Sequence, residues 1–236
     1  MSAESIAGHL GSGRQRQQLP EEVAAYVREL IVSGAVRPGD FLRMERIAEA
    51  IGVSNTPVRE GLLVLSNQGF VRQIPRRGFV VAPFTRQDIR DLFWAQALLA
   101  GELAARAAEK ITPDQLARLE DTVAAYERAV AADDHPTIVD LGHAFHRTIN
   151  LAADSIRLAM LLGSVVRTLP LTFYSTVEGW VDASREEHPQ IVEALRKRNA
   201  KIARSLMEDH ISHGADRLID TLEKRGLWSE SPELTG

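Results

Sequence analysis

The chain has 236 residues, 44% of them hydrophobic, and no cysteine, which supplies material for real cores and excludes disulfides and thiolate chemistry. No apolar run approaches the ~20 residues that span a bilayer, and the opening MSAESIAGHLGSGRQRQQ lacks a basic region followed by an apolar one; the expectation is a cytoplasmic protein with no secretory signal and no membrane partner. The net charge of −4 is uneven: residues 1–83 hold 10 Lys+Arg against 8 Asp+Glu, and residues 84–236 hold 18 against 24, a mildly basic head on an acidic body that fits a local nucleic-acid surface.

Residues 1–18 read as a disordered arm. LPEEVAAYVRELIVSG then places Val23, Val27, Leu30 and Ile31 at helical spacing, with Glu21 and Glu22 at the positive end of the dipole and Gly34 as a stop. VRPGD is a turn. MERIAEAIG is a second short helix that turns Ile47, Ala48 and Ile51 inward. Ser54 is a good N-cap for a third helix, with Pro57 near its first turn and Val58, Leu62, Leu63 and Leu65 on its apolar face. FVRQI, PRRG and FVVAP follow as two short strands around a basic turn. Helix, helix, helix and hairpin over residues 19–83 make a winged helix-turn-helix.

Its third helix enters the major groove in that plan. Ser54 and Thr56 can donate to phosphates or bases, Asn55 can reach either, and Arg59 can bind guanine with two hydrogen bonds. Arg76 and Arg77 on the wing tip can reach phosphates or the minor groove, where Gly78 permits a close backbone approach, and Arg43 and Arg46 can add backbone contacts.

From Gln87 onward nearly everything reads as helix. The expected helices cover roughly 86–110, 113–132, 136–152, 155–177 with a bend at Pro170, 183–198 and 199–225, joined by short connections as in an antiparallel bundle. Residues 84–226 therefore read as an all-α domain and 227–236 as a tail. Three helices each carry a His on or near an inward face: His146 beside Ile149 and Asn150, His188 above Ile191, Val192 and Leu195, and His210 after Leu206 and Met207. Three converging imidazoles can hold a divalent transition metal, zinc or nickel, with positions left open; three core histidines satisfied by hydrogen bonds are the alternative.

The segments IVSGAVRPGDFL, ERIAEAIGVSNTPVREGLLVLSNQGFV and PRRGFVV resemble the DNA-binding domain of the GntR family of bacterial regulators. The resemblance implies operator contacts by Ser54, Thr56 and Arg59. Asn55 stands where most relatives have Arg, and Gly61 where Ala is common, which is expected to weaken the third helix slightly. GELAARAA, AFHRTI, EEHPQIVEALRKRN and SLMEDHI resemble the FCD type of GntR effector domain, over residues 85–225. That implies His146, His188 and His210 as metal ligands, with the metal helping to hold a carboxylate effector. Relatives carry Asp or Asn four residues before the His of the FH motif, where this chain has Gly142, so His143 or Asp140 is the candidate fourth ligand. Gln96 stands where relatives often have an effector-binding Arg; Arg147 and Arg167 are the other candidate anion partners.

The implied protein is a homodimeric transcription regulator on a palindromic operator, controlled by a small-molecule effector, and not an enzyme. Besides a protein-interaction module with a non-functional winged helix, two alternatives stay open. One is an acyl-CoA-responsive regulator with an apolar cavity and no metal. The other is a metal-dependent hydrolase with Glu186 or Glu187 as general base, although no His-Glu-x-x-His motif is present.

Overall fold

The computed structural model describes residues 19–169, 180–224 and 228. These fall into two compact units, one made of residues up to Thr85 together with those from Leu222 on, the other of Arg86–Thr221.

The first unit opens with helix α1 (19–32), which buries Val23, Ala24, Val27, Ile31 and Val32. Strand β1 (Phe41–Leu42), helix α2 (Met44–Ile51), helix α3 (Asn55–Asn67) and strands β2 (Val71–Ile74) and β3 (Gly78–Val81) follow. The three strands form one antiparallel sheet in the order β1-β3-β2, with Phe41 opposite Val80 and Val71 opposite Val81. The sequence led us to expect only β2 and β3. β1 has two residues, too few to show alternation, and is held by its pairing with β3.

Helix α2 ends at Gly52, whose φ of 77° is the left-handed conformation that the turn into α3 needs and whose N–H bonds the Ala48 carbonyl. Ser54 is the N-cap of α3, but its hydroxyl makes no capping hydrogen bond. Val58, Leu62 and Leu65 are buried, whereas Leu63, expected inward, is 37% exposed, because it lies about 100° round the helix from Leu62. Gly61 is buried on the packed face, and a Cβ there would lie 2.7 Å from both the Pro20 carbonyl oxygen and Val23 Cγ1; the residue expected only to weaken α3 is what lets α1 approach it. Arg28 is also buried. Its Nη2 donates to Gln68 Oε1 at 2.7 Å and its guanidinium lies over the Phe70 ring, while burial pushes its pKa down.

The second unit is a helical bundle of α4 (Arg86–Lys110), α5 (Pro113–Ala131), α6 (His135–Ala152), α7 (Ile156–Val166), α8 (Trp180–Arg196) and α9 (Ala200–Lys224). Thr112 and Gln115 form a capping box at the start of α5, and the Asp134 carboxylate accepts the Thr137 N–H at the start of α6. Leu103, Leu119, Phe145, Ile149, Ile191, Leu195 and Met207 fill the core, with alanines of α4 allowing close helix approach. α7 ends eleven residues short of the expected 177. Its last residue is Val166, whose carbonyl instead accepts the Leu169 N–H; Pro170 has no N–H to offer that carbonyl and its ring would clash with it in a continued helix. The expected bend at Pro170 lies outside the described residues, as do the arm over 1–18 and most of the tail. Leu222–Lys224 of α9 and Trp228 group with the first unit, where Trp228 donates its indole N–H to the Phe84 carbonyl at 2.6 Å.

Candidate nucleic-acid interface and metal centre

In the first unit, Ser54, Asn55, Thr56 and Arg59 are all exposed at the leading end of α3. The free Ser54 hydroxyl and the first-turn amides form one polar surface, and no ion pair among the described residues occupies Arg59. Arg43 is the N-cap of α2 and Arg46 lies in its first turn, both exposed. On the wing, Pro75 and Arg76 form the centre of a turn closed by the Arg77 N–H on the Ile74 carbonyl at 3.0 Å. Arg76 sits at φ 62° and Gly78 at φ 104°. The Arg77 guanidinium rests over the Phe41 ring, 5.1 Å from its centroid, so this side chain is braced by β1 while Arg76 projects freely at the tip.

In the second unit, α6, α8 and α9 bring His146, His188 and His210 together, with one ring nitrogen of each within 4.8 Å of the others. His188 and His210 are 3% exposed. Nε2 of His146 and Nε2 of His210 are 3.3 Å apart. Two nitrogens bound tetrahedrally to one zinc ion, each at its usual bond length, are separated by about the same distance. His188 Nε2 is buried with no protein partner, and its ring stacks on Phe145 at 3.9 Å between centroids and meets Tyr126 edge-on. These converging nitrogens, that of His188 orphaned, fit a divalent metal.

The electrostatics fit it as well. Desolvation, with the neighbouring His210 and His143 charges, pushes His146 down to about 3. Desolvation also holds His188 well below its ordinary value. Metal ligation needs neutral imidazoles, and these are neutral at physiological pH. Behind the cluster, Glu187 Oε2 lies 2.6 Å from His210 Nδ1, and Glu187 Oε1 lies 3.3 Å from His213 Nδ1. His210 Nδ1–H therefore donates to the carboxylate and its Nε2 lone pair faces His146. Burial pushes the Glu187 carboxyl up, but its interactions with His210 and His213, hydrogen bonds first among them, outweigh it and hold it below the usual range.

The cluster opens on a chamber of ≈ 120 Å³ walled by Phe93, Ala100, Ile138, Leu162, Trp180 and Ile211, among others. Gln96 and His143 line it; His143 Nε2 is buried without a hydrogen bond and its pKa is lowered by burial. Asp140 is exposed on α6 and outside the lining. Arg147 and Arg167 are exposed and outside it too: Arg147 is about 100° round α6 from His146, and Arg167 folds back so that its Nη1 lies 3.1 Å from where a Cβ on Gly163 would be. Neither candidate general base lines the chamber. Glu186 is exposed and Glu187 is turned onto His210 and His213. Glu187's partnership with His210 spans 23 residues and had no signal in the local spacing.

The sequence matches the description "Bacterial regulatory proteins, gntR family" over residues 19–81 and "FCD domain" over residues 91–213. The HTH-type transcriptional repressor RspR of Escherichia coli (strain K12) is 23% identical over 218 residues, covering 90% of this chain and 94% of the relative. The Glc operon transcriptional activator of the same strain is 27% identical over 225 residues, covering 84% and 87%. The HTH-type transcriptional regulator YdhC of Bacillus subtilis (strain 168) is 23% identical over 202 residues, covering 84% and 90%. The solved structure of Escherichia coli McbR/YncC shares the fold, with a TM-score of 0.63 at 22% identity over 86% of this chain and 98% of that one.

Proposed function

From the premise that this chain belongs to the gntR family of bacterial regulatory proteins, as a DNA-binding transcriptional regulator with an FCD effector domain, we propose that its operator affinity is set by a small carboxylate held on a metal in the helical unit. The cluster of three histidine nitrogens, two of whose rings, His146 and His188, line a mostly apolar chamber, carries this reading. A divalent transition ion such as zinc or nickel on His146, His188 and His210 would supply the positive charge that draws a carboxylate into the chamber. Glu187 orients His210, and the Phe145 ring orients His188.

The head reads DNA through the exposed start of α3. Ser54, Asn55 and Thr56 meet phosphates and base edges, Arg59 reads a guanine, and Arg76, Arg77 and Gly78 bring the wing to the backbone or minor groove, with Arg43 and Arg46 on phosphates. The regulator acts as a homodimer on a palindromic site. Trp94 of α4 is 65% exposed, and Ile156 and Met160 of α7 are each 66% exposed, an apolar surface of the kind that a second copy covers. A metal-free chamber for an acyl-CoA is the second reading, favoured only by its apolar wall; absence of bound metal in protein purified without a His tag would select it.

Selection from a random duplex pool tests the DNA reading. The full chain should enrich a sequence with dyad symmetry, and Arg59→Ala should weaken binding to it by about 1–3 kcal/mol. Unchanged binding by Arg59→Ala would remove α3 from the interface.

A further inference from the structure

Alternation along β1 turns Leu42 into the core and Phe41 out of it, where the ring is 46% exposed. Phe41 stands opposite Val80 on β3. Two residues nearer the wing tip, on the same face of β3, comes Gly78, which brings no side chain. The Phe41 ring therefore borders a groove between the wing and the start of α2, lined also by Arg43, Glu45, Arg77 and Gly78. Arg77 reaches into this groove, and its guanidinium lies over the ring at 5.1 Å from the centroid, close enough to feel the negative face of the aromatic.

The two arginines of the wing tip differ in what holds them. Both are exposed, and neither makes an ion pair among the described residues. Arg77 rests on an aromatic ring, whereas Arg76 has no ring beneath it among the described residues. An unbraced arginine gives up its rotamer freedom when it is fixed on a phosphate, at a cost equivalent to about 2–10-fold in affinity. A ring that already holds the guanidinium removes part of that cost. A guanidinium can stack through its flat face and still present its edge donors to an oxygen, so the brace does not use up the groups that bind. Arg43, on the other wall of the groove, adds a second cation, against the one carboxylate of Glu45.

We propose that Phe41 is a positioning residue for operator binding, which holds Arg77 in the orientation in which that side chain meets the DNA backbone. This rests on the reading of the wing as a DNA contact. It goes further by giving a role in affinity to a residue of β1 that acts through Arg77 and does not itself touch the duplex.

The experiment measures the Kd of the full chain for its selected duplex by fluorescence anisotropy, with thermal melts to check the fold. The variants are Phe41→Leu, Phe41→Tyr, Arg77→Ala and the double variant Phe41→Leu with Arg77→Ala. Leu keeps an apolar side chain on β1 without the aromatic face, and Tyr keeps the face. Arg77→Ala should weaken binding, and Phe41→Leu should weaken it by about 2–10-fold for each head that binds. Phe41→Tyr should bind as wild type does. Once Arg77 is gone, Phe41→Leu should cost nothing more. Unchanged binding by Arg77→Ala would overturn the wing reading itself. A loss in Arg77→Ala alone, with Phe41→Leu binding as wild type, would leave the wing reading standing and overturn this one. So would an equal loss from Phe41→Leu with and without Arg77. Should Phe41→Leu fail to fold, Arg77→Lys decides against Arg76→Lys: both keep the charge, and the larger loss is expected at position 77, where the stacked plane is removed. Equal losses at the two positions would overturn the proposal.

Discussion

The His146 imidazole shows part of its surface to the chamber, yet desolvation carries its pKa down to about 3. In the unfolded chain the same ring protonates near pH ~6.5. Between these values the unfolded state holds the extra proton, so the metal-free protein must lose stability as pH falls below ~6.5, by up to about 1.4 kcal/mol per pH unit for each such histidine. His188, depressed well below its ordinary value for the same first reason, acts with the same sign. Denaturant midpoints at pH 7.5 and 5.5 test this: His146→Gln should lose less stability over that interval than wild type, and equal losses would show that the ring is not desolvated in the fold. At this scale the sequence announced much of the site, because a histidine among core residues at helical spacing can be seen without coordinates. The partners could not be seen. Glu187 looked like a general base because it stands beside His188 in sequence, whereas α9 presents His210 to it. Arg147, a candidate anion partner in place of the Arg missing at Gln96, lies one residue on from His146, and that step turns it to solvent.

Two glycines of the helices illustrate how an element's neighbours override its propensity. Gly61 and Gly142 both sit inside helices, where Ala is intrinsically better by about 1 kcal/mol. Gly142 has open space, so Gly142→Ala should stabilise the protein by about 0.5–1 kcal/mol. Gly61 has the Pro20 carbonyl and the Val23 side chain within 2.8 Å of any added Cβ, so Gly61→Ala should destabilise by about 1–3 kcal/mol despite its better propensity. Paired chemical denaturation of the two variants checks the signs; two stabilising substitutions would mean that α1 does not press on α3. The same contrast explains what the periodicity disclosed. The long helices α4, α5 and α6 repeat their apolar pattern over several turns and start at recognisable caps such as Thr112 and Asp134. β1 is two residues paired to a distant strand, and the end of α7 is set by a proline four residues further on, a local cue that the apolar run continuing past it concealed.

For the molecule as a whole, the sequence separated a basic head from an acidic body, and the structure separates two units close to the same place, at Thr85–Arg86. The difference lies at the other end. Leu222–Lys224 and Trp228 group with the head unit, which no periodicity could indicate, because the contact of Trp228 with the Phe84 carbonyl links positions 144 residues apart. The proposed control needs coupling between ligand occupancy and DNA affinity, and such coupling is a free-energy difference of typically about 1–3 kcal/mol. The measurement that tests the account most directly is the operator Kd of the full chain, by fluorescence anisotropy, in metal-free protein and with zinc and propionate added. Wild type should change its Kd by about 5–150-fold on loading, and His210→Ala should not respond. An operator Kd that stays the same in wild type when zinc is demonstrably bound and propionate is present would contradict control through the three-histidine chamber.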